Sequence, residues 1–205
     1  MRRLFLAAAG LLYAVFLAMD LSSAGNTAPL KFVSILLCLF AALCGTHTED
    51  GRLVALALAF AAAADWFLLA PDGRYATGVL LFCIVQALYC IRLVRWRGYI
   101  CRPVLVIRLA PFAAFFLVSD RLFSLVLLYF ANLACSALNA ACFRPATRRS
   151  RLFAAGLALL LCCDLCVGAF HLGLWTGFTR IGMWLFYLPS QMLIVLSVQT
   201  KGVVP

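Results

Sequence analysis

Apolar residues run along this chain in eight blocks separated by short polar joins. The blocks fall at roughly 4–19, 30–45, 53–70, 76–94, 104–118, 122–143, 152–171 and 181–200. Each is near the ~20 residues that an α-helix needs to cross a bilayer. The pattern predicts an all-α fold, a polytopic transmembrane helical bundle of about eight spans. It reads as a single integral-membrane domain over residues 1–205, with no stretch left for a soluble domain. Turn residues punctuate the joins: Gly25-Asn26-Thr27-Ala28-Pro29, Pro71-Asp72-Gly73 and Arg144-Pro145-Ala146-Thr147. The joins between blocks three and four and between blocks five and six are tight, which makes those pairs antiparallel neighbours. Pro111 and Pro189 fall inside blocks five and eight, where each should kink its helix and free a backbone carbonyl. Ala59, Ala61, Ala62, Ala63 and Ala64 crowd the third block and favour close helix approach.

Composition agrees with this reading. The chain has 205 residues, 66% hydrophobic and 12% charged, with a mean hydropathy of +1.07. Soluble domains are about half apolar and about a quarter charged. A net charge of +10 would ordinarily raise nucleic acid as a partner, but its distribution excludes that. If eight spans alternate, Arg2, Arg3, Arg52, Arg92, Arg95, Arg97, Arg102, Arg144, Arg148, Arg149, Arg151 and Lys201 share one side. Lys31, Arg74, Arg121 and Arg180 take the other. This is the positive-inside pattern, and it puts both termini in the cytoplasm. A shifted helix count would scatter the arginines. With no retention signal after Lys201, a bacterial inner membrane is expected.

Arg2-Arg3, the first apolar block and Ser22-Ser23-Ala24 also read as a signal peptide with a small-residue cleavage site. Its removal would leave the other seven orientations unchanged. Of ten cysteines, nine lie in the blocks, where cysteine packs as a small hydrophobe, and Cys101 lies in a basic loop. Cys163-x-x-Cys166 has a redox or metal spacing, but no second Cys/His pair accompanies it, so packing is the expected role.

Two acidic residues break the rule that charge stays between blocks. Asp65 lies within Leu53–Leu69 (LVALALAFAAAADWFLL) and Asp164 within Leu152–Phe170 (LFAAGLALLLCCDLCVGAF). The other five acids, Asp20, Glu49, Asp50, Asp72 and Asp120, fall between blocks. A carboxylate at membrane depth costs several kcal/mol unless partnered, so it marks a functional site by default. A hydrogen-bonded structural role is the plainer alternative. Both aspartates sit about 8–10 Å below the same outer boundary, at about 1.5 Å per residue. A weak internal echo relates them. Each is followed by a hairpin and then by a glutamine in the returning helix, Gln86 or Gln191, as in a parallel four-plus-four repeat about an axis along the membrane normal.

Other polar residues reach that zone. Phe82, Gln86 and Tyr89 share a helix face, as do Tyr187 and Gln191, with Ser190 adjacent. Tyr89, Tyr187 and Trp184 either pack or anchor the helices at the interface, the two tyrosines having a site role as the alternative. His171 falls at the outer mouth, Asn132 and Asn139 read as interhelical glue, and Arg108 should snorkel to the cytoplasmic interface. Two aspartates and a distant His171 fall short of a metal ligand set, and no cofactor is expected.

The segment Asp65-Trp66-Phe67-Leu68-Leu69, then Tyr75, Gly78, Phe82, Gln86 and Tyr89, resembles the YhhN-like lysoplasmalogenase family of membrane proteins. That family carries Gly-Asp-x-x-Leu, then F-x-x-G, then F-x-x-A-H-x-x-Y. Leu161-Cys162-Cys163-Asp164 is similar to its Ser-Asp pair, and Phe186-Tyr187-x-x-Ser190-Gln191-x-Leu193-Ile194 to its aromatic-x-x-x-Gln-x-Leu-Ile segment. Three positions depart from it: Ala64 replaces the glycine, Val85-Gln86 replaces Ala-His, and Cys163 replaces the serine. The resemblance implies hydrolysis of the alkenyl ether of lysoplasmalogen, a lysophospholipid, to a fatty aldehyde and a glycerophospho-head group.

The residues suit that chemistry. Cleavage needs a proton on the β-carbon and then water on the oxocarbenium. A desolvated carboxylic acid can hold that proton, and a second carboxylate can stabilise the cation and activate water. Asp164 is assigned as acid and Asp65 as base, with Gln86, Tyr89, Tyr187 and Gln191 orienting substrate or water. Paired aspartates in repeated helices equally suit a small proton-coupled transporter. Loss of the family histidine would suit a non-catalytic protein that binds amphiphiles.

Overall fold

The structure is a computed structural model. It describes residues 1–69, 74–99, 102–143 and 146–198, and for Arg102 and Pro103 the backbone only. The turns read at Pro71-Asp72-Gly73 and at Arg144-Pro145, together with Cys101 and Lys201, lie outside the described residues. The described chain is all helical: α1 Arg2–Leu21, α2 Ala28–Leu43, α3 Glu49–Leu69, α4 Tyr75–Arg97, α5 Arg102–Leu109, a 3₁₀ turn Ala110–Ala113, α6 Ala114–Leu117, α7 Arg121–Ala141, α8 Arg148–His171 and α9 Thr176–Leu196. Five of these, α1, α3, α4, α7 and α8, are long and apolar enough to cross a membrane. The protein is a helical membrane bundle.

Helix ends differ from the apolar blocks because the first turns are polar. Asp120 caps α7 by accepting from the Leu122 and Phe123 amides at 2.9 and 3.1 Å. Thr147 and Ser150 form a reciprocal capping box at the start of α8, which satisfies two otherwise orphaned donors. Gly98 ends α4 in the left-handed conformation, φ +76°, which glycine adopts without steric cost.

The two prolines act differently. Pro111 sits in the 3₁₀ turn that divides the fifth block into α5 and α6. Pro189 lies inside α9, which runs on through it. Proline has no N–H to offer the carbonyl four residues earlier, and here that carbonyl, Leu185, accepts from Tyr13 Oη of α1 at 3.1 Å. Arg2 donates to the Val195 and Val198 carbonyls. The first helix is therefore tied to the last at its start and again near its middle.

Successive helices pack as neighbours from α1 to α4. Then α4 packs on α7, α7 on α8 and α8 on α9, and α9 closes onto α1 and α2 with a slight touch on α3. In part the second half repeats the first: α1–α2, α2–α3 and α3–α4 correspond to α5–α7, α7–α8 and α8–α9, and α4–α7 to α9–α2. The α1–α9 contact has no counterpart. Within the ring of α3, α4, α7, α8 and α9, the α4 backbone closely approaches neither α8 nor α9. Side chains fill that interior.

Elsewhere backbones come close. A Cβ on Gly78 would meet Leu68 Cγ at 2.7 Å, across the α3–α4 seam. Of the third-block alanines, Ala61, Ala62 and Ala64 are buried, whereas Ala59 and Ala63 face outward. Cys163 and Cys166 are free thiols, and Cys166 Sγ would lie 2.8 Å from a Cβ on Gly182. Cys166 packs between α8 and α9, and Cys163 is buried in the core.

Two expectations are corrected. Arg108 does not snorkel. It is buried, 5% exposed, and one terminal guanidinium nitrogen donates to Asn132 and to Ser136 Oγ, while the Asn132 amide returns a bond to the Arg108 carbonyl. The planar fork of guanidinium donors suits such fixed acceptors. Asn132 is interhelical glue as expected. The Asn139 side chain instead bonds the Cys135 carbonyl of its own helix, and the bridge there runs from Arg97 to the Asn139 carbonyl.

Candidate active site

Helix α3 carries Asp65 into the ring, where it is 5% exposed. Tyr187 of α9 donates its hydroxyl to Asp65 Oδ2 at 2.7 Å. Helix α8 carries Asp164, half-buried, and Tyr129 of α7 donates to Asp164 Oδ2 at 2.5 Å. Phe82 of α4 stands between the pairs, its ring centroid 6.4 Å from that of Tyr187 and 5.8 Å from that of Tyr129. The arrangement is therefore a row: carboxylate, tyrosine, phenylalanine, tyrosine, carboxylate. It links the two aspartates through three aromatic rings from α4, α7 and α9.

The residues below this row follow from helical spacing. Phe82, Gln86 and Tyr89 occupy one face of α4, and Tyr187, Ser190 and Gln191 one face of α9. Gln86, Tyr89, Ser190 and Gln191 are each at most 1% exposed. Among the described residues, both amide atoms of Gln86, the hydroxyls of Tyr89 and Ser190, and the Gln191 carbonyl oxygen have no hydrogen-bond partner. Buried polar atoms are nearly always paired, and each exception needs an explanation. These exceptions, on four residues, lie on the α4 and α9 faces that also carry Phe82 and Tyr187. Cys163, at the position of the family serine, is buried next to Asp164.

Two ends bound the site. Toward the arginine-rich end, Asp50 takes bonds from Arg92 Nε and a terminal nitrogen, both at 2.8 Å, from Trp96 Nε1 at 3.0 Å and from Arg149 at 2.9 Å. Arg92, 1% exposed, also donates to Ser197 Oγ. Its guanidinium lies 4.4 Å from the Trp96 and Phe153 ring centroids, a cation–π sandwich. Tyr89 meets the same Phe153 edge-on at 5.4 Å. This cluster plugs that end of the ring. At the opposite end, Tyr75 of α4 meets His171 of α8 at 5.5 Å, which places His171 at the mouth. Lys31 pairs with Asp20 at 2.8 Å and lies over Trp184, which in turn packs on Tyr187.

The structure thus places Asp65, Asp164, Gln86, Tyr89, Tyr187 and Gln191 around one interior. Sequence reasoning missed Tyr129. The available signal was its depth: it lies eight residues from the start of α7, much as Asp164 lies seven from the end of α8. It also missed the Asp50–Arg92 plug, because both residues sit at helix ends where charge is ordinary.

A model of the YhhN family matches residues 26–198. No curated protein and no solved structure matches the chain.

Proposed function

We propose, given that the chain belongs to the YhhN family, that it is a membrane hydrolase cleaving the alkenyl ether bond of lysoplasmalogen-type lysophospholipids. The observation that carries this reading is the row of two tyrosine-bound aspartates joined by Phe82, above a surface of unpartnered polar atoms. Asp164, half-buried and next to the α4–α7 seam through Tyr129, serves as the acid. Its proton goes to the β-carbon of the ether-bearing double bond, and positive charge develops as an oxocarbenium at the α-carbon. Asp65, fully enclosed, serves as the base. It takes a proton from the water whose oxygen bonds the α-carbon, and the hemiacetal collapses to aldehyde and alcohol. Tyr129 and Tyr187 fix the carboxylate orientations, and Gln86, Tyr89, Ser190 and Gln191 supply donors and acceptors for the glycerol oxygens and the water. Positioned acid–base groups of this kind contribute ~10²–10⁴-fold each.

In this reading the arginine-rich end, with both described chain ends, faces the cytoplasm. The test is aldehyde release, followed by mass spectrometry, from lysoplasmalogen incubated with purified protein in nanodiscs. Asp65→Asn and Asp164→Asn should each abolish it. Undiminished turnover by correctly inserted variants would sink the proposal. Substrate flux in vesicles without aldehyde would instead identify a carrier.

A further inference from the structure

The broken fifth block leaves one seam of the ring uncovered. Among the described residues α5, the 3₁₀ turn and α6 pack on α7 and make no close backbone contact with α4. Between them lies an apolar groove of about 550 Å³, within the ~300–1,000 Å³ of small-molecule sites. Leu80, Cys83 and Ala87 line it from α4, and Leu125 and Leu128 from α7. Its charged lining residue is Arg121, at the end remote from the arginine cluster. That side chain donates to the Phe115 carbonyl, which holds it at the groove rim.

Phe82 of α4 and Tyr129 of α7 bridge the same two helices that line the groove, their ring centroids 5.8 Å apart, and Tyr129 in turn donates to Asp164.

We infer that this groove receives the single hydrocarbon chain of a lysophospholipid arriving sideways from the bilayer, with Arg121 pairing its phosphate and the Phe82–Tyr129 ring pair forming the door to Asp164. The apolar walls supply burial of the chain, and Arg121 supplies the charge complement of a phosphate. The volume is that of one small-molecule guest rather than of two long chains. The inference rests on the hydrolase reading for its direction of travel, but the binding it predicts is independent of turnover.

The experiment uses the purified full chain in nanodiscs. The probe is a 1-O-alkyl lysophospholipid, whose saturated ether cannot be cleaved by this chemistry, carrying a diazirine in its chain. After photolysis, peptide mass spectrometry should map adducts to residues 80–87 of α4 and 122–128 of α7. Excess unlabelled ether lysophospholipid should compete them away at least fivefold. Ala87→Trp and Leu80→Trp, at outward-facing positions that tolerate bulk, should each reduce labelling by a similar factor. Arg121→Gln should weaken capture of the phosphate-bearing probe, yet leave labelling by an alkylglycerol without phosphate unchanged. Adducts elsewhere, or competition by diacyl lipid as effective as by the lysolipid, would overturn the inference. Adducts in the groove without aldehyde release would leave it standing and remove the hydrolase reading. Aldehyde release without groove adducts would do the reverse.

Discussion

Tyr129 holds Asp164 from a neighbouring helix, its hydroxyl 2.5 Å from the carboxylate, as Tyr187 holds Asp65 from another. Under the four-plus-four correspondence, Phe82 stands four residues before Gln86 as Tyr187 stands four before Gln191. A strict repeat would thus put a second tyrosine at position 82. The hydroxyl comes from α7 instead, and the ring at 82 becomes the spacer. Tyr129→Phe should lower aldehyde release by about 5- to 150-fold while leaving the protein folded, since losing one partner of a buried acceptor costs ~1–3 kcal/mol. Tyr187→Phe should act similarly. Unchanged turnover in both variants would remove the tyrosines from the site.

Gln86 gives a sharper test, because stability and activity should move in opposite directions. Both of its amide atoms are buried and without a partner among the described residues. Gln86→Leu removes that penalty, so the melting temperature in detergent should rise, by an amount equivalent to ~1–3 kcal/mol, while turnover falls. Such trade-offs are characteristic of functional positions. A variant that is destabilised would mean the amide is a structural strut.

The plug at the arginine-rich end should behave as a buried ion pair. Asp50→Leu leaves Arg92 buried without its carboxylate and should cost ~3–5 kcal/mol. Adding Arg92→Met should recover most of the loss, which thermal unfolding of the parent protein and the two variants would read. If the double variant is no better than Asp50→Leu, the attraction between the two charges is not what holds that end together.

Tyr13 and Pro189 should be coupled through the Leu185 carbonyl. Tyr13→Phe orphans the Leu185 carbonyl and should cost ~1–3 kcal/mol. In a Pro189→Ala background the restored N–H can take that carbonyl itself, so the same change should cost little. A double-mutant cycle without coupling would refute the link.

Much of this was readable in the sequence, for identifiable reasons. Apolar block length and arginine placement are strong signals, so the helices and the end at which they gather came through. The starts of α8 and α9 did not: Arg148–Arg151 and Thr176–Arg180 are polar first turns that hydropathy counts as loop. Asp65 and Asp164 stood out because a carboxylate among leucines is costly. Tyr129 did not stand out, because tyrosine is unremarkable in a membrane helix until a partner is seen. Arg108 was misread for a related reason: its fate depended on Asn132 and Ser136, 24 and 28 residues away, which local pattern does not register.

The bond between Tyr187 and Asp65 spans 122 residues, and this has a consequence for biogenesis. Helices enter the membrane in the order in which they are synthesised, so α3 must be admitted long before its tyrosine exists. An aspartate inside an inserting helix is penalised, by as much as ~2.5–3.5 kcal/mol at the helix centre. The leucines and phenylalanines around Asp65 must offset that penalty alone during the interval. Thinning the apolar character of α3 should therefore first appear as a failure of insertion, visible in the nascent chain, and not as instability of the finished bundle.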